Sequence, residues 1–223
     1  MFKGIKNRIF NFFLNKDEKK STDIQVGDVF KDIYQNNTWQ DDESVSGTGS
    51  NLKQTQEIIN QLPNIFKQHA VHSILDLPCG DYNWMKHVDL SDINYIGGDI
   101  VPEIINKNNQ QYASSSVSFV ELNLITDKLP DVDLVFCRDC LVHLSIAQIM
   151  DALQNIKKSN AKYLLTTSFT NTKLNRDIVT GDWRPINLEI VPFNLKPIYT
   201  LVEKCTEFDG MYKDKSLILL ELK

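Results

Sequence analysis

The chain has 223 residues, 42% of them apolar and 24% charged, with a formal net charge of -5. That length carries one domain with a substantial core plus an appendage. The acidic balance speaks against a nucleic-acid partner, which needs a basic face, and no apolar run approaches the roughly 20 residues of a membrane span.

Met1 to Lys20 sets Phe2, Ile5, Ile9, Phe10, Phe12, Phe13 and Leu14 among Lys3, Lys6, Arg8 and Lys16. A basic amphipathic helix of this kind can lie on an anionic membrane or dock on a partner. Packing on its own domain or on a second subunit is the favoured role, and peripheral membrane contact stays open. Ser21 to Val26 reads as a linker, and no secretory h-region or cleavage site is recognised. Val29 to Thr38 predicts a short helix. Trp39 to Ser50 is a loop rich in glycine and hydroxyl donors, Ser46, Gly47 and Gly49 among them. It reads equally as a flap closing over a ligand, with Trp39 on an aromatic face, or as a surface linker. Leu52 to Phe66 is helical in pattern, with an interruption near Pro63.

Ser73 to Leu77 predicts a short buried strand, followed by a turn at Pro78, Cys79 and Gly80 and a helix starting near Asp81 to Trp84. Strand, tight turn, helix is the first unit of a doubly wound α/β fold. Asp76 is acidic within an apolar run, so it needs a fixed donor. A nucleotide phosphate wants several glycines and free N–H groups at such a turn. Here there is one glycine, Pro78 has no N–H, and Asp76 and Asp81 add negative charge. The ligand expected is therefore cationic at this point. S-adenosylmethionine, with a sulfonium and an ammonium but no phosphate, fits.

Asn94 to Asp99 is the second strand. Asp99 lies about twenty residues past the first turn, where a carboxylate grips a ribose diol; capping the helix after Pro102 is the alternative, and both roles can coexist. Val117 to Leu122 is the third strand, with Asn123 at its end facing a possible adenine edge. Val132 to Phe136 is the fourth, followed directly by Arg138, Asp139 and His143. Cys137 and Cys140 have CxxC spacing but no second ligand pair, so they read as small apolar residues and no metal is expected. With Cys79 and Cys205 they suit reduced thiols and a cytoplasmic location. Ser145 and Gln148 form a capping-box pattern for a helix to Lys157. Ala161 to Thr167 is the fifth strand. Asn171 to Asn194 is a long polar loop carrying Asp182, Trp183 and Arg184, and loops of that length are often functional. Pro197 to Glu203 and Leu217 to Leu222 close the chain as an antiparallel pair.

The order of these features resembles the class I S-adenosylmethionine-dependent methyltransferases, over roughly Trp39 to Lys223. Asp76 with the turn to Gly80 is similar to that family's first motif, Asp99 to its second acidic position, and residues 137–144 to the segment after its fourth strand. Pro78 and Cys79 depart from the family pattern, and Asn123 replaces a common acid. The resemblance implies a Rossmann-like, doubly wound, mostly parallel seven-stranded sheet with an antiparallel C-terminal edge hairpin. It divides the chain into residues 1–26, an amphipathic helix and linker, and 27–223, a methyltransferase domain with a helical lid over 27–70. The implied cofactor contacts are Trp39, Ser46, Gly47, Gly49, Asp76, Pro78, Gly80, Asp99, Ile100, Asn123, Leu124 and Arg138, whose fork suits the cofactor carboxylate.

If the acceptor is a hydroxyl, a general base helps. Asp139 and His143 are candidates and Asp182 an alternative. Asp139 reads as readily as a partner of Arg138, and His143 as a helix-entry residue bonded to backbone. Trp183 is a candidate platform for a ring and Arg184 an anion clamp; a turn anchored by Trp183 in the core is the competing reading. The expected acceptor is a small molecule or a glycan. Methylation of a protein or nucleic acid, and a non-catalytic nucleoside binder, remain alternatives, and an oligomer is open.

Overall fold

The computed structural model describes residues 26–223. The helix expected over Met1 to Lys20 lies outside them. Seven strands form one sheet: β1 (Ser73–Asp76), β2 (Asn94–Asp99), β3 (Val117–Glu121), β4 (Leu134–Cys137), β5 (Tyr163–Phe169), β6 (Tyr199–Val202) and β7 (Lys215–Glu221). Their order is β3-β2-β1-β4-β5-β7-β6. β1 pairs in parallel with β2 and β4, as do β2 with β3 and β4 with β5, whereas β7 runs antiparallel to both β5 and β6. The chain winds outward from β1 through β2 to β3, then returns to start the other half at β4. The point where the direction reverses therefore lies between β1 and β4, where ligands of such sheets sit.

The inner strands β1, β4, β5 and β7 are buried almost throughout because both faces are covered, whereas the edge strands β3 and β6 are largely exposed. Successive side chains alternate sides. Leu75, Val135, Cys137, Leu164, Ile218 and Leu220 share one core, Ile74, Leu134, Phe136, Leu165, Leu217 and Leu219 the other. Helix α4 (Ile146–Lys158) buries Ile149, Ala152, Leu153 and Ile156 on the first face, and α2 (Leu52–Gln68) buries Ile58, Leu62, Ile65 and Phe66 on the second. Helix α3 (Pro102–Tyr112) follows β2 with Pro102 in its first turn, where its missing N–H is harmless.

Three local expectations change. Pro63 does not interrupt α2, which runs through it to Gln68, because the apolar stripe from Ile58 to Phe66 holds the helix on the sheet. No α-helix follows the turn after β1; Tyr82 takes a left-handed φ of 60° and the only regular piece is a 3₁₀ turn, Met85–His87. Tyr82, Trp84 and Met85 are all buried in the α2 core. A helix would turn Trp84 away from the other two, so packing overrides it. The first helix, α1, spans Val26–Gln35 rather than 29–38. Among the described residues no helix is long and apolar enough to cross a membrane.

Candidate functional site

A cavity of about 480 Å³ opens at the carboxyl ends of β1, β2 and β4, with α1 and residues 38–50 along its rim. That is an ordinary size for a small-molecule site.

The turn after β1 forms one wall. Gly80 has φ of 54° and donates its N–H to Asp99 Oδ2 at 3.1 Å. A side chain there would strain the backbone and strike Ser46 Oγ. Asp81 also lines the cavity, but its carboxylate is engaged within the protein: it accepts from Ser44 Oγ and the Val45 N–H, each at 3.0 Å, while the Asp81 N–H donates to Ser46 Oγ. The glycine-rich loop is thereby pinned to the turn, and Trp39, Ser46, Gly47 and Gly49 all line the cavity.

Asp76 has the donor its burial requires, the Tyr95 hydroxyl at 2.7 Å. Burial pushes its pKa up to about 8, and the Asp99 charge adds to the rise. Asp99 accepts N–H groups from Gly80 and Val101, yet burial still lifts its pKa to about 6. Two carboxyls thus lie in the cavity wall under pressure to lose their charge. A positive ligand would relieve that pressure.

Arg138 and Lys215 are the basic lysine and arginine side chains on the cavity wall, and both are tied to acids. Arg138 contacts Glu203 at 2.9 Å and Asp139 at 3.2 Å and donates to the Gly49 carbonyl at 2.9 Å. Lys215 contacts Asp139 at 2.6 Å and Glu203 at 3.6 Å. The heads crowd Gly49 so closely that a Cβ there would meet Asp139 Oδ2 at 3.1 Å and Lys215 Nζ at 3.5 Å. A phosphate therefore finds no uncommitted cation among these residues, whereas a cationic nucleoside fits the acids. Arg138 reaches a cofactor carboxylate only by loosening its present pairs.

Among the candidate bases named from sequence, Asp139 and His143 line the cavity, and a backbone carbonyl orients the His143 ring. Its Nδ1 lies 2.9 Å from the Asp182 carbonyl oxygen. A carbonyl only accepts, so Nδ1 carries the hydrogen and Nε2 keeps the lone pair. Burial lowers the His143 pKa, favouring the neutral ring. Trp39 lies against that ring, centroids 5.0 Å apart. Asp139 is a weak base: burial opposes its ionisation, but Arg138 and Lys215 outweigh it and hold the carboxyl at about 2.

The structure corrects two further roles. Asp182 is exposed and off the cavity wall; its backbone carbonyl, not its carboxylate, serves the site. Arg184 is buried, and its guanidinium donates to the carbonyls of Leu141, Leu144 and Arg176. It straps the long loop to the segment carrying His143 instead of facing an anion. Trp183 lines the cavity and is 39% exposed, so it is no core anchor. Ile100, Leu124, Pro78 and Asn123 also line the cavity, though Asn123 Oδ1 accepts the Ile125 N–H within its own turn. Among the described residues no group of His, Cys, Asp and Glu could hold a metal. The sequence reading missed Lys215, Glu207, Phe208 and Tyr212, which reach the site from the C-terminal edge. Phe30 and Tyr34 were legible in principle as an i, i+4 pair on one face of α1.

No protein-family model matches the sequence, and no curated protein matches it. Solved structures do. The N-methyltransferase NodS from Bradyrhizobium japonicum WM9, in complex with S-adenosyl-L-homocysteine, is 17% identical with a TM-score of 0.63, covering 84% of this chain and 97% of its own. Magnesium protoporphyrin IX methyltransferase from Synechocystis PCC 6803, with the same ligand bound, is 11% identical with a TM-score of 0.59, over 86% and 98%. Human N-acetylserotonin methyltransferase in complex with SAM is 13% identical with a TM-score of 0.56; the match covers 89% of this chain but 60% of that one. Identities this low speak to the fold.

Proposed function

We propose that this chain, which folds as a class I S-adenosylmethionine-dependent methyltransferase, methylates a hydroxyl group on a small-molecule acceptor. The observation that carries the reading is the pair Asp76 and Asp99, two buried acids at the ends of neighbouring strands with no uncommitted cation beside them. The bound cofactor supplies a methyl group on a sulfonium, activated for transfer. Asp99 would accept from the ribose hydroxyls, and Asp76 with the turn at Pro78 to Gly80 would face the positive end. Ile100, Asn123 and Leu124 would flank the base. Trp39 and the loop Ser46 to Gly49 exclude water, which matters because the chain's main contribution to such a displacement is alignment.

His143 makes the hydroxyl the favoured nucleophile. Its Nδ1–H is held by the Asp182 carbonyl, so Nε2 takes the hydroxyl proton as the oxygen gains its methyl group. Four unpaired cysteines suit a reducing compartment such as the cytoplasm. Calorimetric titration with S-adenosyl-L-homocysteine tests the reading. Saturable binding is expected; a folded protein giving no heat at millimolar ligand would end it.

A further inference from the structure

The long loop after β5 and the segment before β7, on the other side of β4 from the strands that carry Asp76 and Asp99, bring a group of aromatic rings to the cavity wall. Trp183 and Phe208 lie 6.4 Å apart with their planes only 32° from parallel. Tyr212 stands steeply across both, 4.9 Å and 65° from Trp183, and 5.7 Å and 86° from Phe208. Phe169, 1% exposed, braces Tyr212 from the core at 5.6 Å. Tyr212 is thus fixed, while Trp183 and Phe208 are left 39% and 67% exposed at the cavity rim. Large rings gathered at the mouth of a cavity mark a binding surface.

The backbone presents Phe208 at a cost. Phe208 and Asp209 are consecutive non-glycine residues in the left-handed region, with φ of 50° and 54°. Such strain persists where the surroundings impose it. The two residues just before them are tied down: Thr48 Oγ1 donates to Glu207 Oε1 at 2.6 Å, and the Gln54 side-chain amide makes two hydrogen bonds with Thr206. The Thr48 bond joins this aromatic flap to the loop along the cavity rim, and the Gln54 bonds join it to α2.

We infer that the acceptor is a flat aromatic molecule bearing the hydroxyl to be methylated, its ring received by Trp183, Phe208 and Tyr212; the inference rests on the methyltransferase reading above. Aromatic faces and edges offer such a ring stacked and edge-on contacts together. A sugar would also stack, but its remaining hydroxyls need polar partners. The polar side chains at this end, Asp139, Glu207 and Lys215, are engaged with one another, with Arg138 and with Thr48. A quaternary ammonium is the other chemistry aromatic rings attract, and it lacks the proton that His143 is arranged to take.

The test uses the full chain saturated with S-adenosyl-L-homocysteine and titrates 2-naphthol calorimetrically, with methyl glucoside and tetramethylammonium as comparators. Saturable 2-naphthol binding is expected, weakened about tenfold or more in Trp183→Ala and in Phe208→Ala. Affinity for S-adenosyl-L-homocysteine should stay within about twofold in both variants, which also shows that they fold. Tighter binding of either comparator, no 2-naphthol binding, or 2-naphthol binding indifferent to both substitutions overturns the inference while leaving the methyltransferase reading intact. Failure of S-adenosyl-L-homocysteine itself to bind removes both.

Discussion

At the scale of single residues, the site separates two side chains that looked interchangeable as bases. Asp139 is ionised so readily, between Arg138 and Lys215, that it holds a proton poorly. His143 is kept neutral by burial and given one tautomer by the Asp182 carbonyl. His143→Gln should therefore lower kcat by about 10²-fold or more while leaving cofactor affinity unchanged, read as labelled-methyl transfer into a small-molecule extract. Because the His143 pKa is lowered, the wild-type acid limb should fall below the ordinary imidazole value of about 6.5. An unaltered rate or pH profile in the variant would assign the proton elsewhere. The sequence showed both residues side by side; only their neighbours, Lys215 from the far strand and Asp182 from the long loop, told them apart.

At the scale of elements, the long loop after β5 is organised by what it holds. Gly181 donates its N–H to the His143 carbonyl, Arg184 donates its own to Val142, and the Arg184 guanidinium gathers three further carbonyls. Thr180 completes the start of α4: Ser145 Oγ accepts from the Gln148 N–H as the capping pattern implies, but Thr180 Oγ1 takes the Ser145 N–H and bonds the Gln148 side chain. The helix and its cap were legible because they depend on residues three apart. The intrusion of Thr180 was not, since nothing local to either segment encodes it. Removing the strap in Arg184→Ala strands buried carbonyls. Stability should fall by roughly 2–3 kcal/mol, seen as a lower denaturant midpoint at unchanged slope. A change within a few tenths of a kcal/mol would mean that the loop is held by its other contacts.

For the molecule as a whole, the sheet puts charge where the chain folds back on itself. Asp76 and Asp99 have pKa values of about 8 and about 6, both above their ordinary 3.8. A raised carboxyl pKa means that folding favours the protonated form. Their contribution to stability is therefore complete below about pH 4 and is lost as pH rises through 6 and then 8. A positive ligand prefers the ionised form and reverses the trend. Thermal melts should show S-adenosylmethionine raising Tm more at pH 8 than at pH 6. An equal or smaller gain at pH 8 would show that the ligand does not meet these acids.

By itself the sequence determined the class of the fold, the seven strands to within a few residues, and the acids at the ends of β1 and β2. Those features follow from alternation, apolar runs and short spacings, which are local. Tertiary structure alone decided that no helix follows the first turn, that α2 continues through Pro63, that Arg184 is a strap, and that the C-terminal flap with Lys215 completes the cavity. Each of these depends on a neighbour from a distant segment. The energy of burying a side chain or pairing a charge is set by what arrives beside it, not by its place along the chain.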